Sequence, residues 1–337
     1  MSSWQIFSIR RNKAFVLVIL GILVFIAVVL SLAIGAVKIS PQEVILALLG
    51  QNAGSTASRI VLYSRLPHTC AALLAGASLA VSGMVIQTVL NNPLASPSII
   101  GVNSSAGFAV ALVCAIAPQA QKYTPFVAFA GALVGVLLVM VLSHSMAASR
   151  ITVVLAGVAI SNLFSAGIDA VVTFVPDALN GVTDFRIGGF DGVVMDQLKP
   201  PAVIIFISLF LLLTLAQQLD ILALGSDTAK SLGLAVGPMQ VVFLVLAAAL
   251  AGAAVSFSGL LGFIGLIVPH IMRRLIGEES GFLLISSALG GAFFVAICDL
   301  LARTIVSPFV IPVGIVLAFA GAPFFLWLLF KQRGGRT

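Results

Sequence analysis

The sequence predicts an all-α integral membrane protein of about ten transmembrane helices, and three observations carry that prediction. Of its 337 residues, 61% are hydrophobic and only 8% are charged. Soluble domains carry about 25% charged residues, so this chain has too few to coat a water-facing surface. Mean hydropathy is +1.22, and several apolar runs exceed the ~18 residues that suffice to span a bilayer. The breaks between runs gather Gly, Pro, Asn and the few charges, as membrane-flanking loops do. The net charge of +6 belongs to those loops and not to a nucleic-acid surface.

Apolar windows place the spans at 14–35, 65–90, 98–116, 125–142, 151–174, 201–219, 238–258, 262–275, 281–302 and 310–330. The first follows Arg10, Arg11 and Lys13. Its apolar run is longer than a secretory signal's ~7–15-residue core and no small-x-small cleavage site follows, so it reads as a retained helix. The second opens with "RLPHTC", where Arg65 and His68 bracket Pro67. Proline is tolerated in a first helical turn, where its missing N–H has no partner anyway. The third follows "NNPLASPSIIGVN". Pro93 and Pro97 break any helix there and free carbonyls that must face water or protein.

Gln87, Asn91 and Asn92 beside that break are translocation-pathway candidates, because polar groups are expensive in lipid. The fifth span carries Ser161, Asn162, Ser165 and Asp169. Serines in such a helix read first as small packing residues, which leaves Asn162 as the pathway candidate. Residues 175–199 collect Asp177, Asp184, Asp191 and Asp196 in a polar extramembrane loop. The loop "DILALGSDTAKSLGLAVG" (220–237) follows the sixth span. Ser226 or Asp227 should cap a short helix running to Leu232 and ended by Gly233. Leu222, Leu224, Leu232 and Leu234 give it an apolar side, which suits either an interfacial helix or a docking surface. The eighth span, interrupted by Gly265 and Pro269, reads as a broken helix. In the ninth, Asp299 and Arg303 stand four apart, the spacing of a structural ion pair that makes both charges tolerable.

An even number of spans puts both termini on one side. Ten of the 17 Lys and Arg residues then fall on that side and seven on the other, which makes it the cytoplasm. There is no GxxxxGK[ST] phosphate loop and no HExxH, and the three histidines lie far apart. Cys70, Cys114 and Cys298 each sit inside an apolar run, as small apolar residues do. Glycine-rich spans with polar breaks describe a transporter or a channel. A weak internal repeat pairs "AGASLAVSG" (75–83) with "AGAAVSFSG" (251–259).

Three stretches together resemble one family. "RLPHTCAALLAGASLAVSGMVIQTVLNNPLASPSIIGVNSSAG" (65–107), "DTAKSLGL" (227–234) and "FSGLLGFIGLIVPHIMRRLIG" (257–277) are similar to the permease subunits of bacterial importers for iron-siderophores, haem and vitamin B12. "CDLLAR" (298–303) and "IPVGIVLAFAGAPFFLWLL" (311–329) fit the same family, so the resemblance covers nearly the whole chain. It implies a type II ABC importer permease fold, with residues 1–337 forming one transmembrane domain. It implies as partners a second permease copy or a paralogue, two cytoplasmic ATPases using ATP-Mg, and an extracytoplasmic substrate-binding protein. ATP hydrolysis would belong to the separate subunit, which accounts for the missing phosphate loop; no cofactor or metal is expected on this chain.

The resemblance also assigns residues. Loop 220–237 would couple to the ATPase through Ser226, Asp227, Lys230, Leu232, Gly233 and Leu234. Arg65 and Arg303 fall where the family's outward arginines receive acids of the binding protein. The third such arginine is His68 here, and an imidazole with a pKa near ~6.5 would make docking pH-dependent. The start of the fifth span is similar to the inner gate, which puts Ser149, beside Ala148, at the gate. "FRIGGFDGVVMD" (185–196) takes the place of an extracytoplasmic helix but lacks the tryptophan expected there. The implied cargo is an iron-siderophore or similar metal chelate, with haem, cobalamin and oxyanions as alternatives. The implied setting is the bacterial inner membrane, with both termini cytoplasmic. Two other classes are a secondary transporter, with Asp169 or Asp299 holding the coupling ion, and an intramembrane enzyme.

Overall fold

The computed structural model describes residues 3–35, 37, 39–51, 55–145, 150–306 and 309–333, and no strand occurs among them. We call the end of the bundle that carries Leu66 the upper end and the end that carries Ser226 the lower. The helices are α1 (Ser3–Ala33), α2 (Pro41–Leu48), α3 (Thr56–Ile60), α4 (Leu66–Leu90), α5 (Val102–Ile116), α6 (Thr124–Ser145), α7 (Arg150–Phe174) and α8 (Leu179–Ile187). They continue as α9 (Met195–Thr214), α10 (Ala216–Ala223), α11 (Ser226–Ser231), α12 (Val236–Ser258), α13 (Ile264–Ile276), α14 (Ser280–Thr304) and α15 (Val313–Arg333). Seven helices among the described residues are long and apolar enough to cross a membrane. The remaining expected spans are shorter apolar helices, Val102–Ile116 and Val313–Leu326, and the 13-residue α13.

The packing hub is α4, wrapped by α12, α13 and α14. Glycines set the approach: a Cβ on Gly76 would meet the Gly291 carbonyl oxygen at 2.1 Å, and one on Gly83 would meet that of Gly265 at 2.1 Å. Backbones touch directly there, as small residues permit between membrane helices.

Several expected boundaries move. The second span does not begin at residue 65, because α3 runs through a single π-helical turn, Val61–Arg65, straight into α4. The resulting helix spans Thr56–Leu90, 35 residues. The third begins at Val102, after Gly101 at φ 84. At 15 residues α5 is ~22 Å long against a ~30 Å hydrocarbon core. Residues 92–101 therefore re-enter the bundle without helical structure. Ala95, Ser96, Pro97, Ile100 and Gly101 are buried by protein, and a Cβ on Gly157 of α7 would lie 2.2 Å from the Ile99 carbonyl oxygen. Such backbone is tolerated at membrane depth only in that setting. The sixth span divides at Leu215 into α9 and α10.

The 175–199 loop is shorter than expected, since α9 already starts at Met195. The loop carries α8 and is stitched to the bundle: the Gly189 N–H donates to the Ser258 carbonyl at 2.9 Å, and the Leu260 N–H to that of Phe185 at 2.9 Å. Gly188 makes this possible, with φ 70 and a Cβ position only 2.5 Å from the Leu260 carbonyl oxygen.

Candidate functional site

The sequence-selected residues fall on three surfaces. The first is an upper cleft bordered by Arg65, His68, Phe190, Asp191 and Arg303. The π-turn before α4 carries Arg65, which is 4% exposed. Its guanidinium donates to the carbonyls of Leu32 at 2.7 Å and Ala33 at 2.8 Å, and also to Val37. The last carbonyls of α1 have no intrahelical donor, so Arg65 closes that helix end from another element.

One turn on, His68 lies between two carboxylates, with Nε2 3.5 Å from Asp191 Oδ1 and Nδ1 3.5 Å from Asp299 Oδ1. A neutral imidazole has one N–H, so only the protonated ring donates to both. Asp299 reaches Arg303 at 2.9 Å, and both side chains are buried. Arg303 donates to Ser31 Oγ at 2.7 Å, and that hydroxyl lies 2.7 Å from Thr69 Oγ1. The network ties α1, α4, α14 and the 188–194 loop together. The Asp191 carboxyl lies outside the spans and is held below its ordinary value, chiefly by the hydrogen bond from His68.

The second surface is at the lower end. Helix α11 starts at Ser226 itself, so Gly225 (φ 104) is the N-cap, not Ser226 or Asp227. Gly225 reaches that angle without a Cβ penalty, and this displaces the side-chain cap. Gly233 (φ 83) ends the helix. The Gly233 N–H donates to the Lys230 carbonyl at 2.9 Å and the Leu234 N–H to that of Ala229 at 3.0 Å, which is a Schellman motif. Ala229 is buried, while Leu224, Asp227, Lys230, Leu232 and Gly233 are exposed and Leu234 half-buried. A capped knob of mixed surface results, polar along Asp227, Thr228, Lys230 and Ser231 and apolar at Leu232, which is 59% exposed. A groove of ≈ 810 Å³ separates it from the ends of α4, α7 and α12. From α10, Asp220 Oδ1 accepts the Ser280 N–H at 2.8 Å and caps α14. Lys13 meets Glu279 at 2.8 Å beside it.

The third surface is one face of α7. Asn162, Ser165 and Asp169 are exposed. At three- and four-residue spacing they form one polar stripe on an apolar helix. Asp169 lies 3.9 Å from Arg186 of α8. Ser165 and Asp169, but not Asn162, join Ser98, Asn103, Ser104 and Ser161 around a polar cavity of ≈ 270 Å³.

The other pathway candidates do not join that stripe. Gln87 is 2% exposed. Its Nε2 donates to the Gly265 carbonyl at 2.8 Å, and its Oε1 accepts from Arg273. This clamps α4 to α13. Asn91 caps α4 in the left-handed region at φ 47, where asparagine is favoured. Asn92 Oδ1 accepts the Leu94 N–H at 3.0 Å. Ser149 lies outside the described residues. Sequence reasoning missed Asp191, Ser31 and Thr69 as parts of the upper network, and Arg273 as the partner of Gln87. Their partners are distant in sequence, and hydroxyls in apolar helices give no distinguishing signal. Among the described residues no group of three or more His, Cys, Asp or Glu could hold a metal ion.

Comparison with known proteins gives consistent matches. Residues 22–331 match the FecCD transport family. The chain is 36% identical over 326 residues to the Fe(3+)-citrate import system permease protein YfmE of Bacillus subtilis, covering 96% of this chain and 97% of that one. It is 35% identical over 328 residues to the hemin transport system permease protein HmuU of Yersinia pestis, with 94% and 97% covered. Among solved structures, a chain described as an inward-facing conformation of a metal-chelate type ABC transporter matches with a TM-score of 0.80 at 29% identity. That match covers 95% of this chain and 99% of the other.

Proposed function

This chain belongs to the FecCD transport family, and from that premise we propose that it is the permease subunit of an importer carrying an iron chelate across the cytoplasmic membrane. The single observation that supports the reading most is the α11 knob. A six-residue helix capped by two left-handed glycines, with Leu232 bare at its tip, is shaped to be gripped by another protein. In this reading the lower end faces the cytoplasm, where one ATPase holds α11 through Asp227, Lys230, Leu232 and their neighbours. Hydrolysis of ATP-Mg belongs to that subunit. The upper cleft faces outward and receives acids of a substrate-binding protein on Arg303 and His68, with the buried Arg65 beside them. The polar stripe of α7 faces a second copy or a paralogue across the pathway, because lipid would penalise Asn162 and Asp169. About ten membrane segments and two cytoplasmic termini complete the scheme.

Proteoliposomes holding the chain with its ATPase and binding protein test this directly. Ferric citrate should accumulate only with internal ATP, and Leu232→Asp should reduce uptake about tenfold or more while the chain still inserts, since a buried unpaired charge at such a contact costs several kcal/mol. Uptake driven by an ion gradient without ATP would overturn the proposal in favour of a secondary transporter. A panel with ferric hydroxamate, haem, cobalamin and molybdate identifies the cargo.

A further inference from the structure

We propose that Asp191 is a cis-acting, pH-sensitive latch on the upper cleft, shut while His68 is an imidazolium and released when that ring loses its proton. The inference rests on the proposed function only for who uses the cleft; the latch itself is a property of this chain.

The two carboxylates at His68 differ in what holds them. Asp299 is 3% exposed, on a 25-residue helix, and paired to Arg303. The Asp191 side chain is 68% exposed, in the loop Gly188–Gly189–Phe190–Asp191–Gly192. Gly188 and Gly192 have φ of 70 and 73, backbone that only glycine adopts readily. Gly188 and Gly189 are pinned to Gly314 and Ser258, whereas Gly192 has open space around it, so the stretch from Phe190 to Gly192 is the arm and the buried helix is the post. The arm carries a plug. Phe190 is 1% exposed and sits edge-on to the His68 ring at 5.7 Å. Beyond it Val193 is turned inward at 9% exposure.

The charged groups around His68 are Asp191 from the loop, Asp299 and Arg303 from α14, and Arg65 from the preceding turn, which lines the same cleft. The hydroxyl pair of Ser31 and Thr69 completes the surroundings through Arg303. With the imidazolium present, each carboxylate has a cationic donor. Once the ring is neutral, a single N–H remains for two anions. Asp299 is shut away from water and holds the remaining N–H, whereas Asp191, 68% exposed, exchanges its hydrogen bond for water and keeps only the longer-range attraction of Arg303. The contact is therefore present at low pH and lost as pH rises through the imidazolium's pKa. On the acid side, the hydrogen bond from His68 lowers the Asp191 pKa and so favours the ionised carboxylate.

Cysteine protection reads the latch in the full chain in lipid nanodiscs. Val193→Cys is labelled with a water-soluble maleimide, corrected for the parent's three thiols and normalised to Tyr63→Cys, an exposed position on the same cleft. Normalisation removes the thiolate's own pH dependence. Relative labelling should be protected about tenfold at the acid end of a pH series, where the ring is an imidazolium, and lose that protection as pH rises. Adding Asp191→Asn should abolish protection at every pH. Adding His68→Arg should retain it across the range, because arginine stays charged. Protection that ignores pH, or that survives Asp191→Asn, overturns the latch. Asp191 is exposed, so its variant folds whatever happens at His68. A latch that titrates as expected, while Arg303→Glu leaves binding-protein docking unchanged, would remove the docking reading and keep the latch.

Discussion

Two buried cations at the upper end do different work. Arg303 answers Asp299 in the same helix, four residues away. Removing only the acid strands a buried guanidinium, and breaking such a pair costs about 3–5 kcal/mol. Asp299→Ala should therefore lower the apparent melting temperature in detergent markedly, and adding Arg303→Met should recover part of the loss. If the double variant is no better than the single, the pair is not the source. Among the described residues Arg65 donates to backbone carbonyls alone. It holds the carbonyl end of α1, with hydrogen bonds from a charged group that contribute about 1.5–3 kcal/mol each at best. The Asp299–Arg303 spacing could be read from the letters, because the i,i+4 rule is local. The target of Arg65 could not: it is backbone some thirty residues upstream, and a carbonyl has no letter. His68 was legible as a charged-cleft residue but not as the bridge to Asp191, whose partner is set by how a glycine loop folds back.

Among the elements, helices α4 and α14 show what the glycines are for. Gly291→Ala places a Cβ 2.2 Å from the Gly76 carbonyl oxygen, and overpacking of this kind costs about 1–3 kcal/mol. Gly21→Ala in α1 meets nothing within 4 Å and should be neutral or stabilising by up to about 1 kcal/mol, since alanine is the better helix former. Thermal stability of the two variants side by side checks the contrast; equal effects would mean that the close approach is unimportant. The long spans were legible because apolar length alone marks them. The apolar run places the sixth span from residue 201, but α9 starts at Met195. Pro200 and Pro201 sit inside α9, removing only the bonds to the Asp196 and Gln197 carbonyls near its start. The short α11 was anticipated from its flanking glycines, but its cap was assigned to the wrong residue because Gly225 needs no side chain to begin a helix.

For the whole molecule, the polar stripe of α7 is what the proposed pairing of two permeases would cover. A lone permease would show Asn162 and Asp169 to lipid; a paired one shows them to a pathway. Cysteines at Asn162 should form a disulfide-linked dimer of the chain in native membranes, and persistent monomer would take the second copy off that face. The backbone contact between Gly76 and Gly291 carries a further consequence, measurable as a clock. Water reaches an amide only when the structure around it opens, and openings range from loop fraying to global unfolding. Peptide groups pressed against each other across α4 and α14 can be wetted only by parting the two helices. In deuterium exchange the 76–83 and 287–291 amides should be the last to take up label, α11 and the 188–192 loop the first, and the order should survive any change of cargo.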